Sequence, residues 1–207
     1  MPDSSVKNII FDLGGVILDL SVADTLKSFS RLSGLSIKEI ERIFITAPEF
    51  EHYEKGTLDD AGFRHFIRQA YRVDCTDSDI DACWNAMLVD LPASKLQLLE
   101  SLKERYNTFL LSNTNGIHLN YINHTILPKT AGVTSLDNYF HRSYYSHRMG
   151  KRKPDAEIFE QVLEENNLLA SETLFLDDNG LNTEGAAKVG IRTIYVTSSD
   201  QIFDVFR

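Results

Sequence analysis

The sequence has little cysteine, with only Cys75 and Cys83 among its 207 residues. A structural disulfide or a cysteine metal site would need partner ligands and a secretory context, and the sequence supplies neither. We therefore expect two reduced, partly buried thiols in a cytoplasmic protein.

Long apolar runs and an excess of positive charge are also missing. No stretch approaches the roughly 20 apolar residues of a membrane-spanning helix, and the N-terminus shows no apolar signal segment. The formal net charge is −9, and an acidic surface repels nucleic acid and anionic membranes. We therefore expect neither as a partner. A local positive pocket that binds a small anion is still compatible with this net charge. Nothing in the sequence indicates an oligomeric state.

What the sequence does contain is an ordinary globular composition, with 43% apolar and 25% charged residues. Short apolar runs that stop at polar or glycine residues alternate with helical patterns such as 94–104 and 154–166. The predicted strands cover residues 7–13, 108–112, 141–146, 173–178 and 191–196. Alternation of this kind predicts an α/β fold with a parallel sheet and helices on both faces.

The stretch from about residue 19 to residue 91 has a different pattern. Its apolar residues recur at helical spacing, and Ile80 and Trp84 share one face of a helix predicted over 77–88. No convincing strand is apparent there. We predict a helical insert over 19–91 and a core made of 1–18 and 92–207. The poorly patterned segment 117–138 is predicted as a helix followed by a loop.

Three of the predicted strands end in polar side chains: Asp12, Ser112, and the pair Asp177 and Asp178. In a parallel sheet these strand ends lie at one edge, where α/β proteins bind ligands. Lys153 could join them from a loop. Each residue alone has an ordinary explanation, such as a helix cap, a turn or a solvated lysine. Together, in this order, they predict a site for a metal ion and a phosphate.

The chemistry of phosphate transfer explains this set of residues, because it depends on positioning and on charge neutralisation. Mg²⁺ prefers oxygen ligands and keeps several waters, and Asp12 and Asp178 would supply ligands. Asp12 could attack phosphorus and form an aspartyl-phosphate, with Lys153 neutralising charge. Ser112 and the backbone N–H groups that follow Asp12 would hold the phosphoryl oxygens.

Four motifs carry a family resemblance: FDLGGV at 11–16, LSNTN at 111–115, GKRKPD at 150–155 and FLDDN at 175–179. With them the chain resembles the haloacid dehalogenase-like hydrolase superfamily over nearly its whole length. The sequences of the second and fourth motifs are most similar to those of bacterial sugar-phosphate phosphatases of the glucose-1-phosphate type. The resemblance implies a Rossmann-like core with a helical cap inserted after the first strand.

The resemblance also implies a role for each matching residue. Asp12 would be the nucleophile, Lys153 the charge neutraliser and Ser112 the phosphate binder. The remaining site residues are the neighbouring phosphate-binding positions Asn113, Gly14 and Gly15, and the Mg²⁺ ligands Asp12, the Gly14 carbonyl, Asp178 and Asp177.

The sequence departs from the family at Gly14, where most phosphatases carry an aspartate that protonates the leaving group. Losing such a group typically costs about 10²–10⁴-fold in rate. The insert could supply a substitute from Glu51, His52 or Glu54, in a loop that we expect to face the site, although these residues also suit a solvated helix end.

Three hypotheses follow. The first is a Mg²⁺-dependent phosphatase acting on a small phosphorylated metabolite, such as a sugar phosphate. The second, motivated by Gly14, is a catalytically impaired protein that binds a phosphorylated ligand or a protein partner. The third is a metal-independent 2-haloacid dehalogenase, which the pair Asp177 and Asp178 disfavours because that reaction has no use for a metal site.

Overall fold

Five parallel strands form the central sheet of the protein, in a computed structural model that describes residues 4–207. They run in the order β5-β4-β1-β6-β7. Their bounds are β1 (Asn8–Phe11), β4 (Asn107–Ser112), β5 (Arg142–Tyr145), β6 (Thr173–Asp177) and β7 (Arg192–Tyr195). This sheet, flanked by helices and carrying a helical insertion, confirms the predicted α/β Rossmann-like fold class.

The central strand β1 is buried on both faces, and its side chains alternate between two apolar clusters. Ile9 and Phe11 belong to the larger cluster, whereas Ile10 packs with Phe175 in the smaller one. The run of apolar residues in β1 is therefore explained by helices that cover both faces. Phe11 pairs in register with residues of β4 and β6 on its two sides.

The predicted insert, residues 19–91, is bounded by a short antiparallel pair of strands, β2 (Asp19–Leu20) and β3 (Leu88–Asp90). The prediction that this stretch lacks strands was therefore wrong. The helix predicted over 77–88 stops at Asn85, and the chain continues into β3. Strands this short have no alternating pattern of their own, and they form because distant parts of the chain meet.

Five helices lie between β2 and β3 in the described chain: α1 (Val22–Ser33), α2 (Ile37–Thr46), α3 (Glu49–Glu54), α4 (Asp60–Tyr71) and α5 (Asp77–Asn85). Aromatic rings form much of their shared core. Phe63 is fully buried, stacks on Tyr53 at 4.1 Å between ring centroids, and lies 5.0 Å from the Trp84 ring. Cys75 and Cys83, also in this segment, are partly buried free thiols.

Seven further helices follow β3 in the described chain. They are α6 (Ala93–Lys103), α7 (Gly116–Tyr121), α8 (Leu127–Ala131), α9 (Ser146–Met149), α10 (Ala156–Glu165), α11 (Gly180–Lys188) and α12 (Gln201–Val205). None of the helices within residues 4–207 combines the length and apolarity needed to cross a bilayer.

The segment 117–138 is more helical than predicted. A π-helical turn at Ile122–Ile126 carries the chain from α7 directly into α8, and a 3₁₀ turn follows at Leu136–Tyr139. The buried side chains of Ile122 and Leu127 attach this irregular helix to the core. A π turn shifts the helical phase, which explains why the apolar spacing was hard to recognise.

Candidate active site

The parallel register of the sheet brings the predicted carboxylates together. The backbone N–H of Asp12 donates to the Leu176 carbonyl at 2.9 Å, which extends the pairing of β1 and β6 by one residue. Carboxylate oxygens of Asp12, Asp177 and Asp178 all lie within 4.8 Å of one another. Three acidic side chains from two strand ends therefore form one cluster.

Lys153 enters this cluster from the loop between α9 and α10. Its Nζ donates to Asp12 Oδ1 at 2.7 Å, to Asp177 Oδ2 at 2.7 Å and to the Leu111 carbonyl at 2.8 Å. The side chain is almost fully buried. Burial alone would lower the pKa of Lys153, but the charges of Asp12 and Asp177 outweigh it and raise that pKa. Lys153 is therefore held as a cation with three acceptors for its three protons.

Asn113 fixes the backbone position of Lys153. The Asn113 Nδ2 donates to the Lys153 carbonyl at 2.9 Å, and the Lys153 N–H donates to Asn113 Oδ1 at 2.9 Å. Ser112, the last residue of β4, is buried and lines the same cavity as Asp12. The contact of Asn113 observed here is with Lys153, so its predicted contact with phosphate stays a prediction.

The two adjacent aspartates have different surroundings. Asp177 is fully buried, and its oxygens accept hydrogen bonds from Lys153, from Asn182 Nδ2 at 3.0 Å and from the Asn179 N–H at 2.8 Å. Asp178 is exposed and lines the cavity. The side chain of Asp178 is thus available to a ligand, whereas that of Asp177 is already engaged within the protein.

The charges in the cluster suit a divalent cation. Three carboxylates face a single lysine cation, which leaves an excess of negative charge. Burial is the main cause that raises the pKa of Asp12 to about 7; Lys153 acts to lower that pKa and the charge of Asp177 acts to raise it. A cation held by oxygen ligands would relieve this excess, and Mg²⁺ prefers such ligands. The residues present therefore fit Mg²⁺.

Gly15 allows Asp178 to approach this loop closely. Its φ of 70° lies in the left-handed region, and a Cβ at this position would collide with Asp178 Oδ2. A side chain at position 15 would displace a candidate metal ligand. This explains the glycine structurally, and its predicted contact with phosphate stays a prediction.

A cavity of about 340 Å³ opens over the cluster, between the sheet edge and the insert. Asp12, Ser112, Lys153 and Asp178 line it on the core side. The insert contributes six apolar side chains and one charged side chain, namely Leu20, Val22, Phe44, Glu54, Trp84, Met87 and Leu88.

Of the three insert residues that we expected near the site, the structure places one on the cavity wall and two away from it. Glu51, His52 and Glu54 lie on helix α3 and not in a loop, so that part of the prediction was wrong. Within residues 4–207, only Glu54 of the three lines the cavity. A helix places successive side chains about 100° apart, so neighbours in sequence face different surroundings. Sequence analysis also missed Arg152 in the cavity wall, although it adjoins Lys153.

Gly14 lines the cavity where most family members carry the aspartate. A Cβ on Gly14 would collide with Leu20 Cδ1. The end of the Leu20 side chain, which is 40% exposed, therefore occupies the space beside Gly14 and would have to turn away from a larger residue at position 14.

Comparison with known proteins gives the same assignment as the motifs. A model of the haloacid dehalogenase-like hydrolase family matches residues 6–190. A D-ribitol-5-phosphate phosphatase of Bacteroides thetaiotaomicron is 28% identical over 191 residues, covering 91% of this chain and 90% of that protein. A sesquiterpene phosphatase of Aspergillus oryzae is 25% identical over 202 residues, covering 95% and 92% of the two chains.

A crystal structure of a haloacid dehalogenase family enzyme from Bacteroides thetaiotaomicron superimposes with a TM-score of 0.89. It was determined as the wild-type protein in complex with magnesium and inorganic phosphate. The two sequences are 35% identical, and the match covers 98% of this chain and 100% of the other. The chain is therefore an enzyme that belongs to the haloacid dehalogenase-like hydrolase family.

Proposed function

We propose that this enzyme is a Mg²⁺-dependent phosphatase that hydrolyses a small phosphorylated metabolite through an aspartyl-phosphate on Asp12. The observation that carries the proposal is the position of Asp12, which is paired with Lys153 at 2.7 Å and lines the cavity. A carboxylate held by a buried cation beside further carboxylates is equipped to meet a phosphate dianion.

Each residue has a role in this proposal. An oxygen of Asp12 attacks phosphorus, and Lys153 neutralises charge on Asp12 and on the phosphoryl group. Ser112, Asn113 and the N–H group of Gly14 hold the phosphoryl oxygens. The N–H of Gly15, also predicted to do so, already donates to the Leu18 carbonyl at 2.8 Å.

The same proposal assigns the metal ligands. Asp12, the Gly14 carbonyl and Asp178 would hold Mg²⁺, which supplies further charge neutralisation when bound. Asp177, whose oxygens are engaged by Lys153 and Asn182, contributes negative charge to the site and orients Lys153.

Both the cavity volume and the substrate named for one relative favour a small substrate. A volume of about 340 Å³ lies near the lower end of the roughly 300–1,000 Å³ that is usual for ligand pockets. The relatives with phosphatase names include one for D-ribitol-5-phosphate.

We also propose that residues 19–91 form a cap that covers the substrate, because β2 and β3 pair where the chain enters and leaves this segment. A cytoplasmic location is part of the proposal.

The test compares the wild type with Asp12→Asn, using a panel of phosphorylated metabolites with Mg²⁺ or with EDTA. We expect turnover that requires Mg²⁺ and falls by more than about 10³-fold in the variant, because a neutral amide replaces the anionic carboxylate that attacks phosphorus. Acid quenching during turnover should leave phosphate on the peptide containing Asp12. Wild-type turnover no higher than that of Asp12→Asn would contradict the proposal.

A second function, binding without catalysis, is favoured by Gly14. It predicts that phosphorylated ligands raise the thermal unfolding temperature of the wild type although no substrate is hydrolysed. The same panel therefore distinguishes the two functions.

A further inference from the structure

The proposed reaction leaves one step without an assigned residue. The alkoxide that leaves phosphorus in an alkyl ester is strongly basic, so it departs faster when an acid protonates it. Gly14 has no side chain and cannot do this. The following inference rests on the proposed phosphatase function and concerns the source of this proton.

Only three titratable side chains line the described part of the cavity besides the cluster of Asp12, Lys153 and Asp178: Glu54, His118 and Arg152. Arg152 keeps its charge at any ordinary pH and does not act as a proton donor. The choice therefore lies between Glu54 and His118.

His118 is not suited to donate a proton to a substrate. Its ring is buried, is stacked on Trp84 at 4.8 Å between ring centroids, and lies with Nδ1 3.0 Å from Asn85 Oδ1. Because Asn85 Oδ1 can only accept, Nδ1 carries the hydrogen. Burial lowers the pKa of His118 to about 3. The ring is therefore neutral at neutral pH, and its proton is committed to Asn85.

Glu54 has the properties that His118 lacks. It is the last residue of helix α3 and reaches the cavity from the insert, opposite the sheet edge that carries Asp12. Its side chain is 31% exposed. Arg152 donates to Glu54 Oε2 at 3.0 Å, which holds the carboxyl group across the boundary between insert and core.

The surroundings of Glu54 let it keep its proton to a higher pH than an exposed glutamate would. Burial raises the pKa of Glu54, and Glu51 on the same helix raises it further. Arg152 and Lys153, from the core loop, act in the opposite direction without outweighing burial. A carboxyl group of this kind can alternate between acid and base during one turnover.

We propose that Glu54 is the general acid–base of this active site, supplied by the insert in place of the aspartate missing at position 14. As an Asp12 oxygen bonds to phosphorus and the ester P–O bond breaks, the Glu54 proton passes to the leaving oxygen and an alcohol forms. The Glu54 carboxylate then takes a proton from the water that attacks the aspartyl-phosphate. Inorganic phosphate and the Asp12 carboxylate are released, and Glu54 is again protonated.

The test is Glu54→Gln, measured with two substrates whose leaving groups differ. D-Ribitol 5-phosphate has an alkoxide leaving group that needs a proton, whereas p-nitrophenyl phosphate has one that does not. We expect kcat/KM for the alkyl ester to fall by about 10²-fold or more, and that for the aryl ester to fall by less than about tenfold. Hydrolysis of the alkyl ester by the wild type should decline with rising pH as Glu54 loses its proton, and Glu54→Gln should lack this decline.

Glu51→Gln is the matched control. Glu51 lies on the same helix and 3.7 Å from Arg152, but it is absent from the cavity wall in the described chain. It should leave the ratio of the two activities unchanged when both are measured at a pH low enough for Glu54 to be protonated in either protein, because the Glu51 charge affects only the pKa of Glu54. Glu54→Asp, which keeps an acid with a shorter reach, should retain the decline with rising pH at a reduced rate.

The outcomes separate this inference from the proposed function. An equal loss on both substrates in Glu54→Gln would mean that Glu54 only docks the insert onto Arg152, and no loss would mean that it has no part in proton transfer. Either result overturns the inference and leaves the phosphatase standing, provided that Asp12→Asn is inactive. Absence of Mg²⁺-dependent hydrolysis in the wild type would overturn both.

Discussion

The sheet edge and the insert face each other across one cavity, and they are built in opposite ways. At the sheet edge Asp12, Asp177 and Lys153 are buried charges that hold one another in place. In the insert the buried contacts are mostly between rings, with Phe63 packed between Tyr53 and Trp84.

The difference shows that the sheet edge, which carries the candidate catalytic groups, contributes less to the stability of the fold than the insert does. Burying charges is costly even when they are paired, so a buried ionic cluster is weak support for a fold. Aromatic packing stabilises the folded state through its large buried area. We therefore expect the two regions to respond differently to substitution: the sheet edge through unpaired charge, and the insert through lost packing.

Removing the cation from the sheet edge should have the largest effect on stability. Lys153→Met leaves Asp12 and Asp177 buried without their partner, which should lower the free energy of unfolding by about 3–5 kcal/mol. Urea unfolding in EDTA measures this change. Lys7→Met is the matched control, because Lys7 pairs with Glu172 at the same distance of 2.7 Å but is 64% exposed, so the loss should stay below about 1 kcal/mol.

A double variant sharpens the result. In Lys153→Met with Asp177→Asn one of the two unpaired charges is also gone, so part of the lost stability should return. If the stability losses of the single variants Lys153→Met and Asp177→Asn simply add in the double variant, the cost of Lys153→Met arises from packing. The contrast between the two regions would then disappear.

Phe63→Leu tests the insert and should have a smaller effect. Phe63 is fully buried among rings, so the smaller side chain leaves a partly filled space that costs about 1–2 kcal/mol. Ile45→Ala, at a side chain that is 73% exposed, should change stability by less than about 0.5 kcal/mol. If Phe63→Leu also matched that small change, the ring cluster would not be what holds the insert together.

The sheet edge could be predicted from the sequence because local and general rules determine it. Asp12 and Asp177 each follow a run of apolar residues, and parallel strands place such ends at one edge. The resemblance assigned Lys153 to that edge, since a lysine in a basic run carries no such pattern. Its three short contacts depend on the folded loop and on Asn113.

The insert side could be predicted only in outline. Helical spacing indicated helices, but β2 and β3 form only when distant segments meet. The position of Glu54 in the cavity depends on where α3 ends and on Arg152 from the core. Leu20, which fills the space beside Gly14, belongs to one of the strands that the sequence did not reveal. These features are tertiary contacts, so spacing along the chain does not encode them.

His118 provides the most subtle test, because it is a titratable group on the cavity wall packed against the ring cluster of the insert. Burial holds the pKa of His118 at about 3 in the folded state, below the value of about 6.5 expected when unfolded. Between these values the unfolded chain binds a proton that the folded chain does not, so this contribution to stability is complete above about pH 6.5 and is lost as the pH falls.

Lowering the pH from 6.5 to 5.5 should therefore cost the wild type about 1 kcal/mol more stability than it costs His118→Gln. Urea unfolding of both proteins at the two pH values measures the difference, and the acidic residues common to both cancel in the comparison. Because glutamine does not titrate, a parallel loss in the two proteins would place the protonation elsewhere. The ring cluster of the insert would then be insensitive to acid, and the contrast with the charged sheet edge would be sharper than we infer.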